Sequence, residues 1–175
     1  MRYQDEITKA MTMLGEDERT IFIGQSIVYK GHIMFSTLEG VPMLKRLELP
    51  VFEDVQMGMS IGLSLGGYIP ISIYPRIDFL IIAMNQLINH LDKIEEMSCG
   101  HFVPKVIIRT MVGSTKVFNP GAQHKQDHTE ALRSIVTNIN VWKLEKASSI
   151  MPAYEAALKA KNSTILIELG NLYED

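Results

Sequence analysis

The sequence predicts an α/β protein: a three-layer, doubly wound, mainly parallel sheet with helices on both faces. Three observations carry this reading. Strand-like and helix-like segments alternate from end to end. The segments "KVIIRTM", from Lys105, and "STILIEL", from Ser163, are near-continuous apolar runs of the kind buried on both faces. A chain of 175 residues, 46% hydrophobic and 21% charged, suits one packed core.

The elements follow in order. Tyr3 to Leu14 places Ile7, Ala10, Met11 and Leu14 on one helical stripe. "TIFIG", from Thr20, is a strand stopped by Gly24, and a loop-like stretch runs on to about Leu47. "LELPVF" is a short strand interrupted by Pro50, and Asp54 to Gly67 is a helix. "YIPISIYP" is a strand ending at Pro75, and Phe79 to Met97 is one long helix, apolar on most faces. After the Lys105 strand, Gly113 to Asp127 is a polar loop of about 15 residues, long for a simple connection. Thr129 to Val136 is a short helix, "NVWKLEKA" a strand, Met151 to Lys161 a helix and "STILIEL" the last strand. Ligands of such sheets bind at the carboxyl ends of the strands, where strand order reverses. That singles out Gly24 to Gly31, Glu53, Tyr74 to Phe79 and the loop from Gly113.

Composition excludes several functions. The net charge is -3 and there is no basic block, so no nucleic-acid surface is expected. The lone Cys99 rules out an internal disulfide and fits a reducing compartment. The amino terminus lacks the charge order and apolar core of a signal peptide. The most apolar run, "FLIIAM", is only six residues, too short to span a bilayer. A soluble, cytoplasmic protein without nucleic-acid or membrane partners is the expectation.

The stretch "LPVFEDVQMGMSIGLSLGGYIPI" sets Glu53 and Asp54 at the mouth of an apolar run. Gly58, Gly62 and Gly66 are four apart and line one face of a helix, which predicts tight packing against another backbone. The spacing is neither a dinucleotide fingerprint nor a phosphate loop. Asp54 suits a helix cap. Glu53 lies among Val51, Phe52, Val55 and Met57, where a carboxyl either complements the helix dipole or shares its proton with a ligand. The residues alone leave both readings open. His124 and His128, four apart in "HKQDH", offer two metal ligands but no third. His32, His90 and His101 suggest no chemistry. Arg76, in "YPRIDF", is either a surface residue or a group that reaches an anionic substrate.

Three blocks together resemble a known family. "ELPVFEDVQMGMSIGLSLGGYIPI", "YPRIDFLIIAMNQLINHLDKI" and "PGAQHKQ" are similar, in order and spacing, to the amino-terminal pyrimidine-binding domain of the beta subunit of thiamine diphosphate-dependent 2-oxoacid dehydrogenases. Transketolase-like enzymes carry the same domain. The resemblance spans nearly the whole chain and implies the thiamine diphosphate-binding fold, with residues 1–175 as a single pyrimidine-binding domain. It further implies that Glu53 hydrogen-bonds a ring nitrogen of the cofactor's aminopyrimidine. That contact favours the imino form, which generates the reactive ylide. By the same resemblance Phe79 packs on the pyrimidine face, though a core phenylalanine is the plain alternative, and His124 faces the substrate.

The chain also departs from the family pattern. Gly24-Gln25-Ser26 stands where relatives commonly carry a paired glutamate, and Ile77 stands at a position that is often aromatic. No Gly-Asp-Gly diphosphate motif occurs, and the sequence stops at Asp175 where the family's beta subunits continue into a carboxyl-terminal domain, so a naturally split subunit and an excised fragment are both expected readings. The implied cofactor is therefore thiamine diphosphate, with Mg held by a partner chain. A diphosphate-binding domain or subunit, a homo- or hetero-oligomer, a small-molecule substrate and an apolar assembly face are expected. The eleven methionines would suit such a face, although core filling is their commoner use. Decarboxylation of a 2-oxoacid leads as the activity, with transketolase-type two-carbon transfer and a non-catalytic assembly or regulatory role as alternatives.

Overall fold

The computed structural model describes residues 2–116 and 119–173. The first helix, α1 (Tyr3–Glu16), buries its predicted stripe Ile7, Ala10, Met11 and Leu14. Strand β1 (Thr20–Gly24) follows. The predicted loop after β1 holds a short helix, α2 (Ile33–Ser36), and a 3₁₀ turn, Met43–Lys45. Strand β2 (Arg46–Glu48) then leads into α3 (Glu53–Leu65) and β3 (Ile69–Ile73).

The predicted long helix after β3 is instead a chain of different windings. It runs from α4 (Ile77–Leu80) through a 3₁₀ turn (Ile81–Ala83) and a π-helix (Asn85–Leu91) to α5 (Ile94–Met97). The apolar spacing gives the reason. Ile77, Leu80 and Ala83 are buried three apart, where the turn tightens, and Ala83, Leu87 and Leu91 are buried four apart, where it widens. The backbone changes pitch to keep all five against one core.

The rest of the chain is β4 (Ile107–Val112), α6 (Thr129–Ile135), β5 (Asn140–Lys143), α7 (Ala147–Lys159) and β6 (Thr164–Leu169). Helix α7 starts a turn earlier than the pattern predicts because Ile150 is already fully buried with Tyr154 and Ala157.

The six strands form one sheet in the order β2-β1-β3-β4-β6-β5, and every pair is parallel. The predicted doubly wound architecture is therefore present. One face is covered by α1, α2 and α7, through Ile7, Met34 and Tyr154 among others. The other is covered by α3, α4, the π-helix and α6, through Met57, Leu80, Leu87 and Leu132. Pro70 is tolerated in the interior strand β3 because β4 pairs only from Ile71 onward. No helix among the described residues is long and apolar enough to cross a membrane.

Strand order reverses between β1 and β3, since β2 lies outside β1. Helix α3 crosses that switch point, so its amino end is placed where such sheets receive ligands.

Candidate functional site

Glu53 is the first residue of α3, and only 2% of it is exposed. The helix cap is Phe52, without a side-chain bond, so Asp54 is not the cap. Asp54 instead accepts from Gln86 Nε2 at 3.5 Å. Three residues on, fully buried Gln56 ties the switch point together. Its Nε2 donates to the Ile73 carbonyl at 3.0 Å and to Ser72 Oγ at 3.2 Å, and reaches the Ile23 carbonyl at 3.5 Å. Ser60 adds a bond to Ser72 at 3.0 Å. The buried Tyr74 hydroxyl donates to the Glu53 carbonyl at 3.4 Å. Burial pushes that hydroxyl's pKa well up, and the charges of Glu53 and Asp54 add to the rise.

These contacts hold the Glu53 backbone. Its carboxyl is different: among the described residues no donor bonds it. A carboxyl on a nearly buried residue, without a donor among the described residues, is placed to meet one from outside.

Phe79 and His124 come together from loci 45 positions apart. Phe79 lies in α4, half-buried, and His124 ends a 3₁₀ turn, Ala122–His124, in the loop after β4. Their ring centroids are 5.2 Å apart in an edge arrangement, and His124 Nδ1 is buried without a partner. Asp78, beside Phe79, anchors that loop. Its Oδ1 accepts from Gln126 Nε2 at 3.2 Å and lies 3.7 Å from His128 Nε2. His128 thus faces a carboxylate, and no group of three or more metal-ligating side chains occurs among the described residues. The loop closes because Gly113 has no side chain: a Cβ there would fall on the His124 carbonyl oxygen. Gly113→Ala is expected to displace His124. In NMR spectra its ring protons should lose the shift imposed by Phe79.

The loop after β1 is pinned by a carboxylate. Glu48 accepts from the backbone N–H groups of Ser26, Ile27 and Val28 at 2.7, 2.8 and 3.0 Å, with Ser26 in the left-handed region at φ 60°. Glu48, reaching over from β2, thus has its charge met by three backbone donors beside Gln25. On the same loop, burial and then the positive charges of Arg76 and Arg109 lower the His32 pKa, against an opposing pull from Glu48. Arg76→Met removes one of those charges and should move the His32 titration upward in an NMR pH series.

The glycine stripe corrects an expectation. A Cβ at Gly62 would meet nothing within 4 Å, and one at Gly58 only the tip of Gln86 at 3.9 Å. The tight backbone packing expected there is not made within this chain. The stripe lies instead on an open apolar surface with Val55, Met59 and Leu65, beside exposed Val51, Phe52, Ile81 and Ile82. Helical periodicity locates such a face, but it cannot say which neighbour fills it.

Sequence reading missed Gln56, Asp78 and Glu48. The available signal was polarity out of place: Gln56 and Ser60 recur at four-residue spacing on the buried side of an apolar helix, and Asp78 interrupts "YPRIDFL".

Fold and site together define a class: a doubly wound α/β domain presenting a buried carboxyl and an aromatic–imidazole pair at its strand exits. Particular proteins are similar to the chain as a whole. The chain is 28% identical over 130 residues to the pyruvate dehydrogenase E1 component subunit beta-3, chloroplastic, of Arabidopsis thaliana, covering 74% of this chain and 31% of that protein. It is 26% identical over 172 residues to the pyruvate dehydrogenase E1 component subunit beta of Cyanidium caldarium, covering 91% and 49%. In fold it matches the inactive beta4 tetramer of a split-gene transketolase with a TM-score of 0.73 at 18% identity, over 95% of this chain and 51% of that one. No family model matches the chain. It spans about a third to a half of the length of these curated relatives. The resemblance read from the sequence is borne out, in sequence by E1 beta subunits and in fold by a transketolase.

Proposed function

We propose that this chain is the pyrimidine-binding part of a thiamine diphosphate-dependent enzyme that decarboxylates a 2-oxoacid. The observation that carries the reading is Glu53: a nearly buried residue at the β1/β3 switch point whose carboxyl has no donor among the described residues. The likeness to E1 beta subunits over most of the chain supports it.

The residues fit the pyrimidine half of the cofactor. Glu53 would hydrogen-bond a ring nitrogen of the aminopyrimidine through its carboxyl. Phe79 offers an apolar ring for stacking. His124, its orientation set by Phe79 and its loop anchored by Asp78, holds or moves a proton at the substrate. Thiamine diphosphate, when bound, supplies the electron sink that lets the bond beside the oxo group break. The diphosphate and its Mg belong, in this reading, to a second domain or subunit. The open face of Val55, Met59 and Gly62 is the assembly surface that brings it, in a homo- or hetero-oligomer. A cytoplasmic setting belongs to the same reading, with the exposed, free Cys99 in its support.

Reconstitution with a diphosphate-domain subunit tests the proposal. Carbon dioxide release from a 2-oxoacid is the expected result. Ketol transfer between sugars would select the transketolase-type alternative, and assembly without turnover the non-catalytic one.

A further inference from the structure

We propose that the exits of β1 and β3 form an anion site that takes the negatively charged group of the substrate, with Arg76 as its cation and Gln25 and His32 as neutral donors. The inference rests on the reading of a cofactor site beside it and adds the group that selects the substrate.

The starting observation is a set of donors with nothing to donate to. Arg76 precedes α4, and its Nε is buried without a partner. No carboxylate among the described residues lies within 4 Å of its guanidinium. Gln25, 8% exposed, buries an Nε2 that is equally without a partner. The two come from adjacent strand ends: Gln25 follows Gly24, which lies opposite Ile73 in register, and Arg76 is three residues beyond Ile73. The strands approach so closely there that a Cβ at Gly24 would fall on the Ile73 carbonyl oxygen.

His32 completes the set. Its Nδ1 accepts the Met34 N–H at 3.1 Å, so the neutral ring carries its proton on Nε2, as a donor. It stands in the same loop after β1 as Gln25, at the head of α2, and the charges of Arg76 and Arg109 act on its ring. Arg109 is not the ligand's cation, because Glu168 already matches its charge at 2.7 Å. Glu48, the nearby acid, is engaged by three N–H groups.

What is left is one unmatched guanidinium among neutral donors, at the switch point of a parallel sheet. Each such buried donor is costly until an acceptor arrives. A guanidinium suits the planar, two-oxygen edge of a carboxylate or phosphate. The shared chemistry is an oxyanion, met as a free carboxylate or as a phosphate monoester.

Calorimetric titration of this chain with pyruvate and with inorganic phosphate tests the site. At least one anion should bind. Arg76→Met should weaken it about tenfold to a hundredfold, and Arg76→Lys less. Preference for pyruvate assigns a carboxylate, and preference for phosphate a phosphate monoester. Glu53→Gln should leave anion affinity unchanged, so loss of turnover in that variant with normal anion binding separates the two readings. Absence of binding by both anions, or Arg76→Met binding as tightly as the parent chain, would overturn the anion site whatever becomes of the cofactor.

Discussion

Glu53→Gln is expected to lower turnover of the assembled enzyme about 10²–10⁴-fold while leaving the fold and the assembly intact. The substitution keeps the shape and removes the acid. Among the described residues none bonds the carboxyl, and the Tyr74 hydrogen bond is to the backbone carbonyl. The variant should therefore unfold at the same temperature as the parent chain or a higher one, because a neutral amide is easier to bury than a carboxyl without partners. Activity and stability moving in these different directions is the signature of a group kept for chemistry. Steady-state rates, thermal unfolding and native mass of the complex give the three readouts. Unchanged turnover would refute the assignment.

The opposite behaviour is expected at Arg109. This side chain is fully buried in the middle of β4, paired with Glu168 of β6 through Nε at 2.7 Å and Nη2 at 3.2 Å. Thr37 and the hydroxyls of Tyr154 and Tyr173 complete the cluster, with Tyr154 donating to Glu168 at 2.7 Å. Burial, the largest influence, would lower the guanidinium pKa, but Glu168 together with Tyr173 and Tyr154 outweighs it and leaves the group raised. Burial, then the same carboxylate, pushes both tyrosines well up. Removing one partner strands the other charge in the core. Arg109→Met is expected to cost about 3–5 kcal/mol in urea unfolding, a large share of the roughly 5–15 kcal/mol that holds a typical domain. The double substitution Arg109→Met with Glu168→Leu should recover most of that loss, because it leaves no charge unpaired. If the double variant is as unstable as the single one, packing rather than charge sets the cost.

The layered fold was legible before any coordinates. Buried strands write themselves as apolar runs, and "KVIIRTM" and "STILIEL" became the central strands β4 and β6. The amino-terminal stripe became α1, and the acid at the mouth of the glycine helix proved to be buried at its first residue. These are local facts, set by periodicity within a dozen residues.

Only the tertiary structure decided the rest. It broke the long helix into tighter and wider turns, left the glycine face open, set Phe79 against His124, and sank Arg109 beside Glu168, 59 residues away. It also left Arg76 without an acid. The reason is the same in each case. Periodicity states which side of an element is apolar, whereas the pairing of donors, acceptors and rings depends on segments that meet only once the sheet has formed.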